Sequence, residues 1–302
     1  MTDTPRNPRS GARTEALLIA LTLIVTACGG GASWASGSPS GSPAPTTAPP
    51  TDVTFLEHAM GRTDVVFRFE EGGGFVPMGF FATQAPQFTL YGDGTVLFRD
   101  PNAAPAPSAG KVFALDPYLI GWLSEPQIQA FLQFALEDGG LRVAHGHYSP
   151  GNVADIPTAI FTFNAGGLTK TVSVEALGFD NPDSPDVEIL RTMAVLGERV
   201  RGFASQVEGE TAWFPDRWRG ILTEGEFQLP QPWPWTDVNP ADFVQPVGPD
   251  APQFPILTLT PAQVDALGLT GIEGGFVELQ LAGPDGRTYG LALRPILPDE
   301  AL

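Results

Sequence analysis

The stretch FTLYGDGTVLFR, residues 88–99, decides the fold class. It places Asp93 and Gly94 between two arms that are rich in β-branched and aromatic residues. An Asp-Gly pair in this setting is the strongest short-range signal of a β-hairpin, because glycine accepts the positive φ of a tight turn. Glycine-containing turns between β-prone arms recur in residues 158–174 and 275–297. The sequence therefore predicts three antiparallel hairpins.

Three helices are predicted beside these hairpins. Two begin at capping boxes of the S/T-x-x-E/Q type, one at Ser124 and one at Thr260. The third runs from about residue 185 to 207, where apolar residues from Ile189 onward recur at steps of three and four. We therefore expect an α+β fold in which antiparallel β-hairpins pack with about three helices.

The folded part is expected to span residues 53–302, either as one domain or as two lobes. Each capped helix precedes a hairpin, which indicates two αββ-like lobes. In that arrangement the lobes would cover 53–180 and 208–302, and the helix at 185–207 would join them. A chain of this size can bury roughly 70–75% of its unfolded surface, so either arrangement can hold a core.

Composition excludes one class of function. The net charge is −18 at neutral pH, and Lys and Arg form no cluster. Because nucleic-acid binding needs clustered basic residues to neutralise phosphates, we expect no nucleic-acid partner. The same acidity would repel the folded part from an anionic membrane surface.

The first 27 residues have the layout of a secretory signal. Arg6, Arg9 and Arg13 precede ALLIALTLIVTA, an apolar run at positions 16–27. A basic start followed by about 7–15 apolar residues is typical of signal peptides. The run is also shorter than the roughly 20 residues that a membrane-spanning helix needs. We expect residues 1–27 to be a signal peptide.

The segment Val25-Thr26-Ala27-Cys28 closes this signal and holds the only cysteine of the chain. It resembles the lipobox of bacterial lipoproteins. That resemblance implies that Cys28 becomes the new N-terminus and carries a diacylglyceryl thioether with fatty acids such as palmitate. Two acyl chains hold a protein stably at a bilayer, whereas one gives only marginal binding. We therefore expect anchoring to the cell membrane, on its extracytoplasmic face, through the lipidated Cys28.

Residues 28–52 connect this anchor to the folded part. After the cysteine they are almost wholly Gly, Ala, Ser, Pro and Thr. Such a composition buries too little apolar surface to fold, so it predicts a disordered tether. Random-coil scaling gives a reach on the order of 25–30 Å. The folded part would then stand clear of the lipid headgroups.

Two groups of residues are candidates for a site. His145 and His147, with Asp155 eight residues further on, could ligate zinc, although a polar loop explains them as well. The other group is a set of tryptophans close together in the chain: Trp213, Trp218, Trp233 and Trp235. They could form a surface for stacked sugars or a proline-rich peptide, or they could belong to the core, as most tryptophans do.

Four segments together resemble uncharacterised lipoproteins of high-GC bacteria. They are YGDGTV (91–96), the capped helix from Ser124, DIPTAIFTFNAGG (155–167) and LRPILPDE (293–300). The first three also resemble a bacterial domain of unknown function. These segments are turns and strands, so the resemblance implies a shared fold and assigns no functional residue.

The sequence therefore predicts an extracytoplasmic lipoprotein that acts as a non-catalytic binding or interaction module. Its partner would be an extracytoplasmic protein or a glycan, in addition to the bilayer. No G-x-S-x-G, Walker or G-x-G-x-x-G motif with the required context is present, and no cofactor is expected. The alternative is an extracytoplasmic hydrolase that uses carboxylates or a metal.

Overall fold

The computed structural model describes residues 55–74, 78–99, 112–149, 155–179, 181–207, 209–248 and 253–300. The signal peptide, Cys28 and the tether lie outside these residues, so their predicted roles stay predictions. The described residues belong to one compact unit, Asp52–Leu302. Strands outweigh helices in this unit, and the fold is of the mixed α+β kind that the sequence predicts.

The described residues form two sheets. The strands of the first are β1 (Val65–Gly73), β2 (Phe88–Tyr91), β3 (Thr95–Arg99), β4 (Tyr118–Trp122), β5 (His147–Tyr148), β6 (Pro157–Ala165), β7 (Leu168–Glu175) and β8 (Thr211–Ala212). The strands of the second are β9 (Trp218–Glu224), β10 (Gln231–Pro232), β11 (Ile256–Leu259), β12 (Phe276–Ala282) and β13 (Thr288–Pro295). The spatial orders are β5-β7-β6-β1-β2-β3-β4-β8 and β10-β12-β13-β9-β11.

All three predicted hairpins are confirmed. In the first, Phe88 pairs with Phe98, and Gly94 takes a φ of +87° in the turn. The others pair β6 with β7 and β12 with β13, both antiparallel. Each turn again contains a glycine at positive φ, Gly166 in one and Gly286 in the other. The local turn residues therefore determine the hairpins as expected.

Four α-helices occur in the part of the chain that the structure describes, which corrects the expected number of about three. They are α1 (Met78–Ala82), α2 (Glu125–Leu136), α3 (Val187–Arg201) and α4 (Pro261–Asp265). The unexpected one is α1, whose single turn is too short to show a helical period. The predicted helix at 185–207 ends as a 3₁₀ turn, Phe203–Gln206. None of these helices is long and apolar enough to cross a membrane.

One face of the first sheet carries the larger core. Alternate residues of β1 and β3, such as Phe67 and Phe98, pack there against α2 and α3. Phe131 of α2 meets Phe67 edge to face at 5.0 Å, and Met193 of α3 is fully buried in the same cluster. The helix predicted to join two lobes therefore packs on the first sheet. The lobe boundaries themselves stay a prediction.

The second sheet has its own core, and two segments link it to the first. The stretch before β4 pairs with β12, where the Val277 N–H donates to the Phe113 carbonyl at 3.0 Å. From β3, the buried Arg99 donates to the Gly274 carbonyl at 3.2 Å. The C-terminal residues after β13 form the second link, and Leu297 is fully buried against the outer face of the first sheet. These contacts place the C-terminal segment beside a groove.

Candidate binding groove

A groove lies on the face of the first sheet opposite the helices. Its floor comes from β3 and β4, where Leu97 pairs with Ile120 and Thr95 pairs with Trp122. Side chains alternate along a strand, so Phe98 enters the core beneath the helices while its neighbour Leu97 lies on the groove side. The alternation that builds the core therefore also gives the groove an apolar floor.

The walls of the groove are two chain segments, residues 213–217 and 296–298. The Trp213 N–H donates to the Tyr118 carbonyl at 2.9 Å, and the two rings meet edge to face with centroids 5.7 Å apart. The two segments are joined by a hydrogen bond from the Ile296 N–H to the Arg217 carbonyl at 3.1 Å. Trp213 is thus held in place by contacts within the protein.

Trp122 is the most exposed aromatic residue of the groove. It is 60% exposed at the end of β4, next to the apolar floor. The groove has a volume of about 450 Å³. Pockets for small molecules usually measure about 300–1,000 Å³ and combine apolar walls with a few polar groups. The volume of the groove falls within this range, and half of its twelve lining residues are polar.

Charged side chains of both signs line the groove: Arg62, Arg217, Asp93 and Asp216. They balance to a formal charge of zero, although the whole chain is strongly acidic. Asp93 accepts the Thr95 N–H at 2.9 Å and so fixes the hairpin turn. Among the described residues, neither guanidinium forms an ion pair. Both arginines are therefore available to a ligand.

Next to the groove, the C-terminal segment ends in a network of buried charges. Asp299 accepts hydrogen bonds from Arg68 at 2.6 Å and from the Tyr91 hydroxyl at 2.8 Å. Burial, together with the charge and hydrogen bond of Asp299, raises the pKa of Tyr91. Burial also raises the pKa of Glu70, against the attraction of Arg68. Asp299 is occupied by its protein partners, so we assign this network to fixing the groove wall.

The four predicted tryptophans do not share one surface, because three of them pack in or against the second core and Trp213 lies elsewhere. Trp218 and Trp235 are buried in the second core, at 5% and 6% exposure. Trp233 packs against the same core, and Trp233 and Trp235 each donate the indole N–H to a backbone carbonyl at 2.7 Å. Only Trp213 of the four lines the groove.

The predicted metal residues are not brought together. The Nε2 atom of His145 lies 3.8 Å from a carboxylate oxygen of Asp186, while that of His147 lies 3.8 Å from Glu175. Asp155 is exposed and adopts a φ of +58°. Within the described ranges, no three His, Cys, Asp or Glu side chains are grouped so that they could hold a metal ion. The two histidines therefore serve separate surface contacts.

Sequence reasoning missed Trp122, the most exposed aromatic residue of the groove. The strand YLIGW at 118–122 alternates large residues at Tyr118, Ile120 and Trp122. This alternation could have indicated a second apolar face. It could not reveal whether that face was covered, because the cover comes from residues about a hundred positions away or more.

No protein-family model matches the chain, and no match is found among curated proteins or solved structures. Function is therefore inferred from the groove and from the N-terminal sequence.

Proposed function

We propose that this chain is a lipid-anchored extracytoplasmic protein whose folded part binds a ligand in the groove between Trp122 and Trp213. The observation that carries the proposal is Trp122, an indole that is 60% exposed beside an apolar floor in a groove that a second, fixed tryptophan also lines. Large aromatic side chains dominate the energetics of binding interfaces, because each supplies much contact area. An open groove with two of them is suited to binding.

The residues of the groove favour binding over catalysis. Catalysis needs a nucleophile or an acid–base pair in a defined geometry. The carboxylates of the groove are Asp93 and Asp216, and Asp93 already accepts the Thr95 N–H. The hydrolase alternative has less support, because its metal candidates His145 and His147 face different carboxylates.

The N-terminal sequence supports the location. A lipidated Cys28 would hold the protein at the extracytoplasmic face of the cell membrane, whereas cleavage of an ordinary signal would release it. The tether at 28–52, with a reach on the order of 25–30 Å, would let the acidic folded part stand off an anionic surface. The groove would then be open to a glycan or a protein outside the cell.

The finer description of the fold also belongs to this proposal. The two αββ-like lobes would pair α2 with the β6–β7 hairpin and α4 with the β12–β13 hairpin. Their support is that each of these hairpins lies in a different sheet. The floor of the groove would then belong to the first lobe. Residues 213–217, at the start of the second lobe, would form one of its walls.

A ligand screen by thermal shift tests the proposal with the full-length chain in detergent. The variants are Trp122→Ala and, as a matched control, Phe113→Ala, which removes an aromatic that is 69% exposed outside the groove lining. We expect at least one compound class to raise the melting temperature of the wild type and of Phe113→Ala but not of Trp122→Ala. Equal stabilisation of all three proteins by every active compound would contradict the groove as the site.

A further inference from the structure

We propose that the ligand of the groove is a neutral saccharide, with one sugar ring lying on Trp122. Its hydroxyl groups would lie between the charged side chains of the groove, here called the rim: Arg62, Arg217, Asp93 and Asp216. This inference rests on the proposed function, because it identifies the ligand of the same groove.

The charge of the rim selects against charged ligands. Arg62 and Arg217 are balanced by Asp93 and Asp216 around one opening. An anion would be attracted by the arginines but repelled by both aspartates. A cation would be attracted by the aspartates but repelled by both arginines. A neutral ligand avoids either repulsion. A neutral ligand also experiences no net electrostatic repulsion when it approaches a chain of charge −18.

The hydrogen-bonding chemistry of the rim selects for hydroxyl groups. A guanidinium only donates hydrogen bonds, and an ionised carboxylate only accepts them. A hydroxyl group does both, so one kind of ligand group satisfies arginine and aspartate alike. A saccharide carries such groups around the whole edge of its ring. This matches a rim on which donors and acceptors are both present.

The aromatic walls select for a ring with an apolar face. The face of an indole carries the negative end of its quadrupole, so it attracts the weakly positive C–H groups of a sugar ring. Trp122 is exposed for such contact, and Trp213 is fixed against Tyr118 with ring centroids 5.7 Å apart. A wall that is already in place reduces the ordering cost of binding.

A proline-rich peptide fits the same groove less well. Its rings could stack on Trp122, but proline has no N–H and offers mainly carbonyl acceptors. Those acceptors could use Arg62 and Arg217 but would leave Asp216 without a donor. The aspartates therefore separate the saccharide from the peptide as ligands.

Calorimetric titration of the full-length chain in detergent tests this inference. The probes are neutral oligomers of glucose, mannose and N-acetylglucosamine, a galacturonate oligomer, a chitosan oligomer and a proline-rich decapeptide. We expect at least one neutral oligomer to bind. Its affinity should fall at least tenfold in Trp122→Ala and stay within twofold in Phe113→Ala.

A second variant tests the charge argument independently of the stacking. Asp216 is exposed and Asp216→Asn removes one negative charge from the rim. This change should strengthen binding of the galacturonate oligomer several-fold relative to the neutral oligomer. An unchanged ratio of the two affinities would contradict the role of the balanced rim.

The outcomes separate the inference from the proposed function. If only the decapeptide or a charged oligomer binds, and Trp122→Ala abolishes that binding, the saccharide inference is wrong while the groove remains the site. If no probe shows an affinity that depends on Trp122, the saccharide inference is wrong, and the thermal-shift screen decides the groove itself.

Discussion

Asp299 and Glu300 are adjacent in the chain, yet their carboxylates bind arginines of two different sheets. Asp299 accepts a hydrogen bond from Arg68 of β1 at 2.6 Å. Glu300 accepts two from Arg294 of β13, at 2.6 and 2.9 Å. Two neighbouring residues thus fasten the C-terminal segment to both sheets at once. Because this segment forms one wall of the groove, the pair connects the stability of the fold to the shape of the site.

Asp299→Ala should lower the free energy of unfolding by about 3 kcal/mol, because it leaves the largely buried Arg68 without its partner. Urea unfolding of the full-length chain measures the effect. The control is Glu224→Ala, which breaks the exposed pair with Arg287 at 3.0 Å. The control should leave the urea midpoint nearly unchanged. Similar midpoints for the two variants would contradict the assignment of Asp299 as a structural anchor.

Glu300 should make stability depend on pH in the acid range. Burial alone would raise the pKa of Glu300, but the hydrogen bonds and charge of Arg294 outweigh it, so the pKa lies below its ordinary value of 4.5. A lowered carboxyl pKa contributes stability above the unfolded value, and this contribution is lost as the pH falls through the folded value.

The variant Glu300→Gln should therefore be less stable than the wild type at pH 7. Its deficit should shrink as the pH falls from about 4.5, the ordinary range of a glutamate pKa, through the lower folded value. Urea midpoints measured from neutral to acid pH check this. A deficit that stays constant over the whole range would show that the ionisation of Glu300 contributes nothing.

Glu70 and Glu71 should respond oppositely to the same substitution, because they lie on opposite faces of β1. Burial raises the pKa of Glu70, so ionising this carboxyl is less favourable in the folded state than in the unfolded state. Glu70→Gln should raise the urea midpoint at pH 7, and the wild type should regain the difference as the pH falls through the raised pKa. Glu71 instead accepts hydrogen bonds from Arg201 at 2.6 and 3.1 Å, so Glu71→Gln should lower the midpoint.

The parts of the fold that local sequence controls were predictable. Asp93 and Gly94 identified the first hairpin, and the capping boxes at Ser124 and Thr260 identified two helices. Strand order was not predictable, because it depends on pairings between distant segments, such as Phe67 with Phe163. The single-turn α1 was missed because five residues cannot display a helical period.

Of the residues that line the candidate groove, the sequence singled out only Trp213. Clustered tryptophans indicated a binding surface, and Trp213 does line the groove. Proximity in the chain was misleading for Trp218 and Trp235, since both pack into the second core. Trp122 was missed because its exposure depends on which face of the first sheet the C-terminal segment covers. That information is tertiary.

Cys28→Ala should block lipid attachment and normal lipoprotein maturation, since the lipid thioether requires the only thiol of the chain. Detergent phase partitioning of the variant and the wild type measures this, and mass spectrometry of the mature N-terminus identifies the modification. The folded part should keep its urea midpoint, because Cys28 lies outside the compact unit Asp52–Leu302. An unmodified Cys28 in the membrane fraction, or cleavage at another residue, would contradict the lipobox interpretation.

The most direct test is photo-cross-linking on intact cells that display the full-length protein. Benzoylphenylalanine replaces Thr63, an exposed residue that lines the groove, in one variant and the exposed Phe113 in the other, so that Trp122 stays in place in both. The account predicts a discrete cross-linked product from position 63 that is absent from position 113 and that free neutral oligosaccharide suppresses. The same products from both positions, or none from position 63, would contradict a ligand site in this groove.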